Sequence, residues 1–111
     1  MAAWQHIMID GAPSRAAVEA VVAGLVKAKP HRADGGARFS TMDAEVGIFA
    51  ADYADEPHLR MSHYPWVIDI DGVAQVDWAR RIFDVLAEQT PWSLLWQSNS
   101  VQVDARSGSA A

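Results

Sequence analysis

Ile7-Met8-Ile9-Asp10-Gly11 and Ile68-Asp69-Ile70-Asp71-Gly72 stand 61 residues apart, and each is a short apolar strand running into the same Asp-Gly turn. The offset continues downstream, where Leu25 and Pro30 fall on Leu86 and Pro91. Between these points Val18, Val21, Val22 and Leu25 fall on Ala79, Ile82, Phe83 and Leu86. Both sets follow the i, i+3, i+4, i+7 spacing of one face of a helix. Two strand-helix units, each followed by strand material, predict a split βαβ duplication. The expected fold is α+β, a ferredoxin-like βαββαβ plait with two helices on one face of a four-stranded antiparallel sheet.

Outward from these units, Trp4 to Ile9 reads as the first strand. Pro13 suits the first turn of the first helix, where a missing N–H costs nothing. Lys27 and Lys29 are expected in its last turn, where positive charge favours the helix dipole, and Pro30 stops it. His31 to Gly36 reads as a polar loop. Arg38 to Met42 and Glu45 to Ala50 are extended, as one long kinked strand or as a hairpin turning at Asp43-Ala44. Asp52 to Arg60 lacks periodicity and reads as a solvated loop, and Tyr64 to Ile70 is the strongest strand. Trp92 to Trp96 and Val101 to Val103 are strands around a Gln97 to Ser100 turn. Extra hairpins therefore have room at 38–50 and 92–104. One domain is expected over 1–105, with 106–111 as a flexible tail.

Strand alternation sorts side chains between the helix-covered core and an open face. Trp66, Ile68 and Ile70 share the core side with Ile7 and Ile9, and Trp92, Leu94 and Trp96 form the more apolar side of the last strand. Trp4, His6, Met8, His63, Val67, Asp69 and Asp71 face the other way. That face is less polar than water favours, and such patches mark interfaces or ligand sites. It is covered by the chain itself, by a second copy or by another protein.

The chain has 111 residues, which fits one domain. Half of it is hydrophobic, twenty of those residues being alanine. The net charge of −5 argues against a nucleic acid as main partner, since that affinity comes from neutralising phosphates. With no cysteine, disulfides and thiol catalysis are excluded, which fits a reducing compartment. No basic leader and no run of membrane-spanning length is present, so a cytoplasmic protein without membrane contact is expected. His58 and His63 stand five apart, but neither HExxH nor a Cys pair accompanies them. Neither metal nor cofactor is expected.

The string Val67-Ile68-Asp69-Ile70-Asp71-Gly72-Val73 resembles the first motif of haloacid dehalogenase-type phosphohydrolases. The resemblance implies a Mg²⁺-dependent enzyme in which Asp69 attacks phosphorus and Asp71 protonates the leaving group. It covers seven residues; about 40 residues follow it, without a lysine or a late acidic pair. Asp10-Gly11 uses the same turn chemistry in the first unit, and in a plait, where the first and third strands run antiparallel, Asp10 and Asp71 are expected at opposite sheet edges.

The leading expectation is a small acidic, non-enzymatic module that binds a protein, or a second copy of itself, through the open sheet face. An inhibitor or immunity-type protein that blocks a cationic enzyme has this physical character. The contact residues expected are Trp4, His6, Met8, His63, Val67 and Asp69, with Asp52, Asp55 and Glu56 steering a basic partner. The alternative is a dimeric α+β-barrel protein that binds or oxidises a small hydrophobic molecule.

Overall fold

The computed structural model describes residues 4–33, 36–50, 64–99 and 101–108. Its elements run β1 (Gln5–Asp10), α1 (Arg15–Val26), β2 (His31–Ala33), β3 (Gly36–Ser40), β4 (Glu45–Ala50), β5 (Trp66–Asp71), α2 (Gln75–Gln89), β6 (Ser93–Ser98) and β7 (Val101–Arg106). The class is α+β as expected, but the four-strand sheet is corrected. One antiparallel sheet has the order β2-β3-β4-β5-β1-β6-β7, six strands of five or six residues plus the three-residue β2. The extended stretch at 36–50 is a hairpin, Phe39 facing Val46. A second hairpin joins β6 to β7. The polar loop expected at 31–36 instead contributes β2, whose His31 pairs with Arg38.

β1 and β5 meet at the centre, and Ile7 pairs with Ile68, the residue onto which the 61-residue offset carries it. Excluding β2, three strands flank this rung on each side: β1, β6 and β7 on one, β5, β4 and β3 on the other. Ile7, Ile9, Phe39, Val46, Ile48, Ile68, Ile70, Leu94 and Trp96 project from the sheet into one buried cluster with Val18 and Val22 of α1 and Ala79, Ile82, Phe83 and Leu86 of α2. Alternation along the strands and a helical stripe on α2 thus meet in a single layer between helices and sheet.

Local chemistry sets the helix ends. Ser14 caps α1 by accepting the Ala17 N–H at 3.2 Å, so Pro13 precedes the cap rather than opening the first turn. Lys27 lies beyond the last turn, as a left-handed C-cap (φ 59°) whose N–H bonds Ala23 O at 2.8 Å. The last carbonyls of α2 are taken by side chains. The Thr90 hydroxyl donates to Leu86 O at 2.7 Å, and the Arg106 guanidinium donates to the carbonyls of Leu86 and Ala87. Asp104, also on β7, accepts from Arg80 at 3.1 Å. β7 therefore joins α2 by polar bonds on its helix side, and it runs one residue past the expected end of the domain. No helix among the described residues is long and apolar enough to cross a membrane.

The β3–β4 turn is built by side-chain bonds. The Thr41 hydroxyl accepts from Ala44 N at 2.9 Å, and Asp43 accepts from Thr41 Oγ1 at 2.9 Å and from Trp78 Nε1 at 3.0 Å. The Trp78 bond first, and then the Thr41 bond, holds the Asp43 carboxyl below its usual range. A lowered folded-state value means that Asp43 stabilises the protein above the unfolded carboxylate value of about 4, and that this contribution fades as pH falls through the folded value. Urea midpoints of wild type should fall more steeply with acid than those of Asp43→Asn; parallel curves would show that the turn gains nothing from the charge.

Candidate functional site

The helix-free face carries its own buried cluster. Met8, Val67 and Leu95, neighbours on β1, β5 and β6, are buried there, with Phe49 and Tyr64 packed against them. Met8 and Val67 occupy the face that alternation assigns them, but Met8 is 0% exposed and Val67 7%. They are floor, and cannot touch a partner as they stand.

The next rung is polar. Gly47, Asp69, His6 and Gln97 follow one another across β4, β5, β1 and β6. His6 Nε2 lies 2.7 Å from Asp69 Oδ1, with His6 the more covered of the two side chains. The His6 ring sits 4.2 Å from that of Trp4, tilted by 39°. Trp4 is 38% exposed. Its N–H donates to Asn99 Oδ1 at 3.1 Å and its carbonyl accepts the Asn99 N–H at 3.2 Å, so the β6–β7 turn holds it in place. One side of the site is thus a Trp4–His6–Asp69 chain: aromatic face, imidazole, carboxylate.

Around it stand further charges. Glu45 is the register partner of Asp71, two like charges directly opposed on neighbouring strands, an arrangement that costs a sheet stability. Arg38 Nη1 lies 3.5 Å from Glu45 Oε1 and partly offsets this. The Arg38 guanidinium also lies 5.1 Å from the centroid of the Phe49 ring. Phe49 can lie flat because Gly47 has no side chain; a Cβ there would stand 2.5 Å from Phe49 Cε2.

Of the residues expected at the site, Trp4, His6, Met8, Val67 and Asp69 share the helix-free face. His63, Asp52, Asp55 and Glu56 lie outside the described residues. Sequence reading missed Arg38, Glu45, Phe49, Leu95 and Asn99. Alternation against the core positions Phe39, Val46, Ile48, Leu94 and Trp96 places Arg38, Glu45, Phe49 and Leu95 on this face; nothing local signals Asn99. The donor set does not fit the Mg²⁺ that the phosphohydrolase resemblance implies. Among the described residues no three His, Asp or Glu side chains converge on a metal position, and one Asp69 oxygen is engaged by His6. Asp10 and Asp71 sit at opposite ends of the paired strands β1 and β5.

Comparison with protein-family models, curated protein sequences and solved structures finds no match to this chain.

Proposed function

We propose that the chain is a non-enzymatic protein-interaction module whose contact surface is the polar half of its helix-free face, and that its partner is basic. The observation that carries this reading is the acidic edge Glu45, Asp69 and Asp71 on adjacent strands beside the part-exposed Trp4. A protein that keeps Glu45 opposite Asp71 against the local cost gains most when a partner's cations lie over the pair. Trp4, its backbone held by Asn99 and its ring set against that of His6, has the character of an interface anchor. An inhibitor or immunity-type protein acting on a cationic enzyme fits this chemistry. The inner strands β4-β5-β1-β6 with the two helices support reading the scaffold as a ferredoxin-like plait enlarged at both edges. Because Met8 and Leu95 are already buried within one chain, the face favours an edge-on polar partner over sheet-to-sheet pairing with a second copy.

The test is capture from a lysate of the native host with wild type, Trp4→Ala and Asp71→Asn side by side. Wild type should retain a basic protein that raised salt releases. Trp4→Ala should weaken retention about tenfold or more. Asp71→Asn should weaken it too, while raising stability by about 0.5 kcal/mol through relief of the Glu45 repulsion. Binding indifferent to salt and to both substitutions would refute the reading.

A further inference from the structure

The outer surface of α1 is unlike that of α2. Among its twelve residues only Arg15 and Glu19 are charged, and they pair with each other at 3.0 Å. α2 by contrast presents Asp77, Arg80, Arg81, Asp84 and Glu88 to solvent. Between the two helices runs a groove of about 260 Å³, lined by Ala20, Val21, Gly24 and Leu25 of α1 and by Val85 and Gln89 of α2. Among the described residues nothing requires glycine at position 24: it lies in a helix, where glycine is unfavourable, and a Cβ there would meet nothing within 4 Å. Its absent side chain leaves space on the outside.

We infer that a second copy of this chain occupies the groove, with the two α1 helices antiparallel across a twofold axis. Charge selects that occupant. Lys27 and Lys29 are exposed beyond the C-terminal end of α1. At the other end lie exposed Asp10, just before the helix, and Glu88, next to the groove residue Gln89. An antiparallel copy brings the lysines of each chain to the acids of the other, twice by symmetry, around an apolar centre where the bare Gly24 positions let the two helices approach. A parallel copy would set lysines against lysines. A twelve-residue helix is about 18 Å long and offers less than a standard interface of about 1,600 Å², so the dimer forms in the micromolar range or weaker. The contact lies on the helix side and leaves both Trp4 faces free, so the dimer presents two binding surfaces.

Sedimentation equilibrium of the full chain from micromolar to millimolar concentration tests this. Wild type should pass from monomer to dimer. Gly24→Glu, which the monomer has room for, should keep or raise its urea midpoint, since glutamate favours the helix more than glycine, and should weaken dimerisation at least tenfold. Lys29→Glu should weaken it, and adding Glu88→Lys should restore it. A chain monomeric throughout, a Gly24→Glu variant that associates as wild type does, a charge swap that restores nothing, or a dimer lost on Trp4→Ala but not on Gly24→Glu each overturns the inference.

Discussion

Gln5→Leu should lower the unfolding free energy by about 3 kcal/mol, although leucine is nearly isosteric and better suited to a core. Gln5 is 1% exposed, at the start of β1 on the helix side. Its Oε1 accepts Trp96 Nε1 at 2.8 Å, and its Nε2 donates to Ser98 Oγ at 2.9 Å and to Gln75 Oε1 at 3.2 Å. Gln75 in turn donates from Nε2 to Gly72 O at 3.1 Å, tying the first turn of α2 to the turn before it. No buried side-chain nitrogen or oxygen among the described residues lacks a partner, so the network is complete. Leucine strands the Trp96 N–H, in a side chain only 2% exposed, and the Gln75 carbonyl oxygen. Each orphaned buried group costs about 1–3 kcal/mol. Gln75→Met should cost about 1 kcal/mol, because Gln5 Nε2 keeps Ser98. Urea unfolding reads both as midpoint shifts at constant slope. A Gln5→Leu loss no larger than that of Gln75→Met would mean that Trp96 finds another acceptor.

Gln5 also marks where sequence reading stops. The helix-side core was legible because two local periods announce it: Ile7, Ile9, Ile68 and Ile70 alternate along strands, and Ala79, Ile82, Phe83 and Leu86 recur along α2. A buried glutamine breaks the strand pattern, and its partners lie 70 to 93 residues away. The hairpin at 36–50 stayed ambiguous for a similar reason: Thr41 closes its turn by side-chain-to-backbone bonds, which no hydropathy period records. β7 reads short because Asp104 and Arg106 on its helix side are polar, and only the position of α2 shows that they bond Arg80 and the helix carbonyls. At the site, alternation placed Trp4, His6 and Asp69 on one face. That His6 and Asp69 are cross-strand neighbours depends on the register of β1 against β5, which the centring of Ile7 on Ile68 sets. The burial of Met8 is not legible, because the neighbours it packs with, Val67, Leu95, Phe49 and Tyr64, come from distant parts of the chain.

The duplicated Asp-Gly turns yield the sharpest contrast in the chain, because the same motif should respond very differently to the same change. Gly11 and Gly72 both have positive φ, 98° and 110°, so each favours glycine on conformational grounds alone. Their surroundings differ. A Cβ at Gly11 would meet Trp92 no closer than 3.7 Å, ordinary contact. At Gly72 it would stand 2.7 Å from Ala44 Cα and 2.7 Å from Asp43 O, backbone atoms of the β3–β4 turn. That turn cannot retreat freely, since Asp43 O accepts the Ala74 N–H at 3.0 Å and Asp43 Oδ1 holds Trp78. Gly11→Ala should therefore cost only the backbone strain, about 1–2 kcal/mol. Gly72→Ala adds overpacking against backbone to the same strain, about 4 kcal/mol in all, a large share of the stability of a domain this size. Asparagine separates the two causes, as it tolerates positive φ better than alanine. At Gly11 it should recover part of the loss, and at Gly72 it should recover none, because its Cβ meets the same two atoms. Equal losses at the two glycines would show that φ alone governs both turns and that the β3–β4 turn yields to the added carbon.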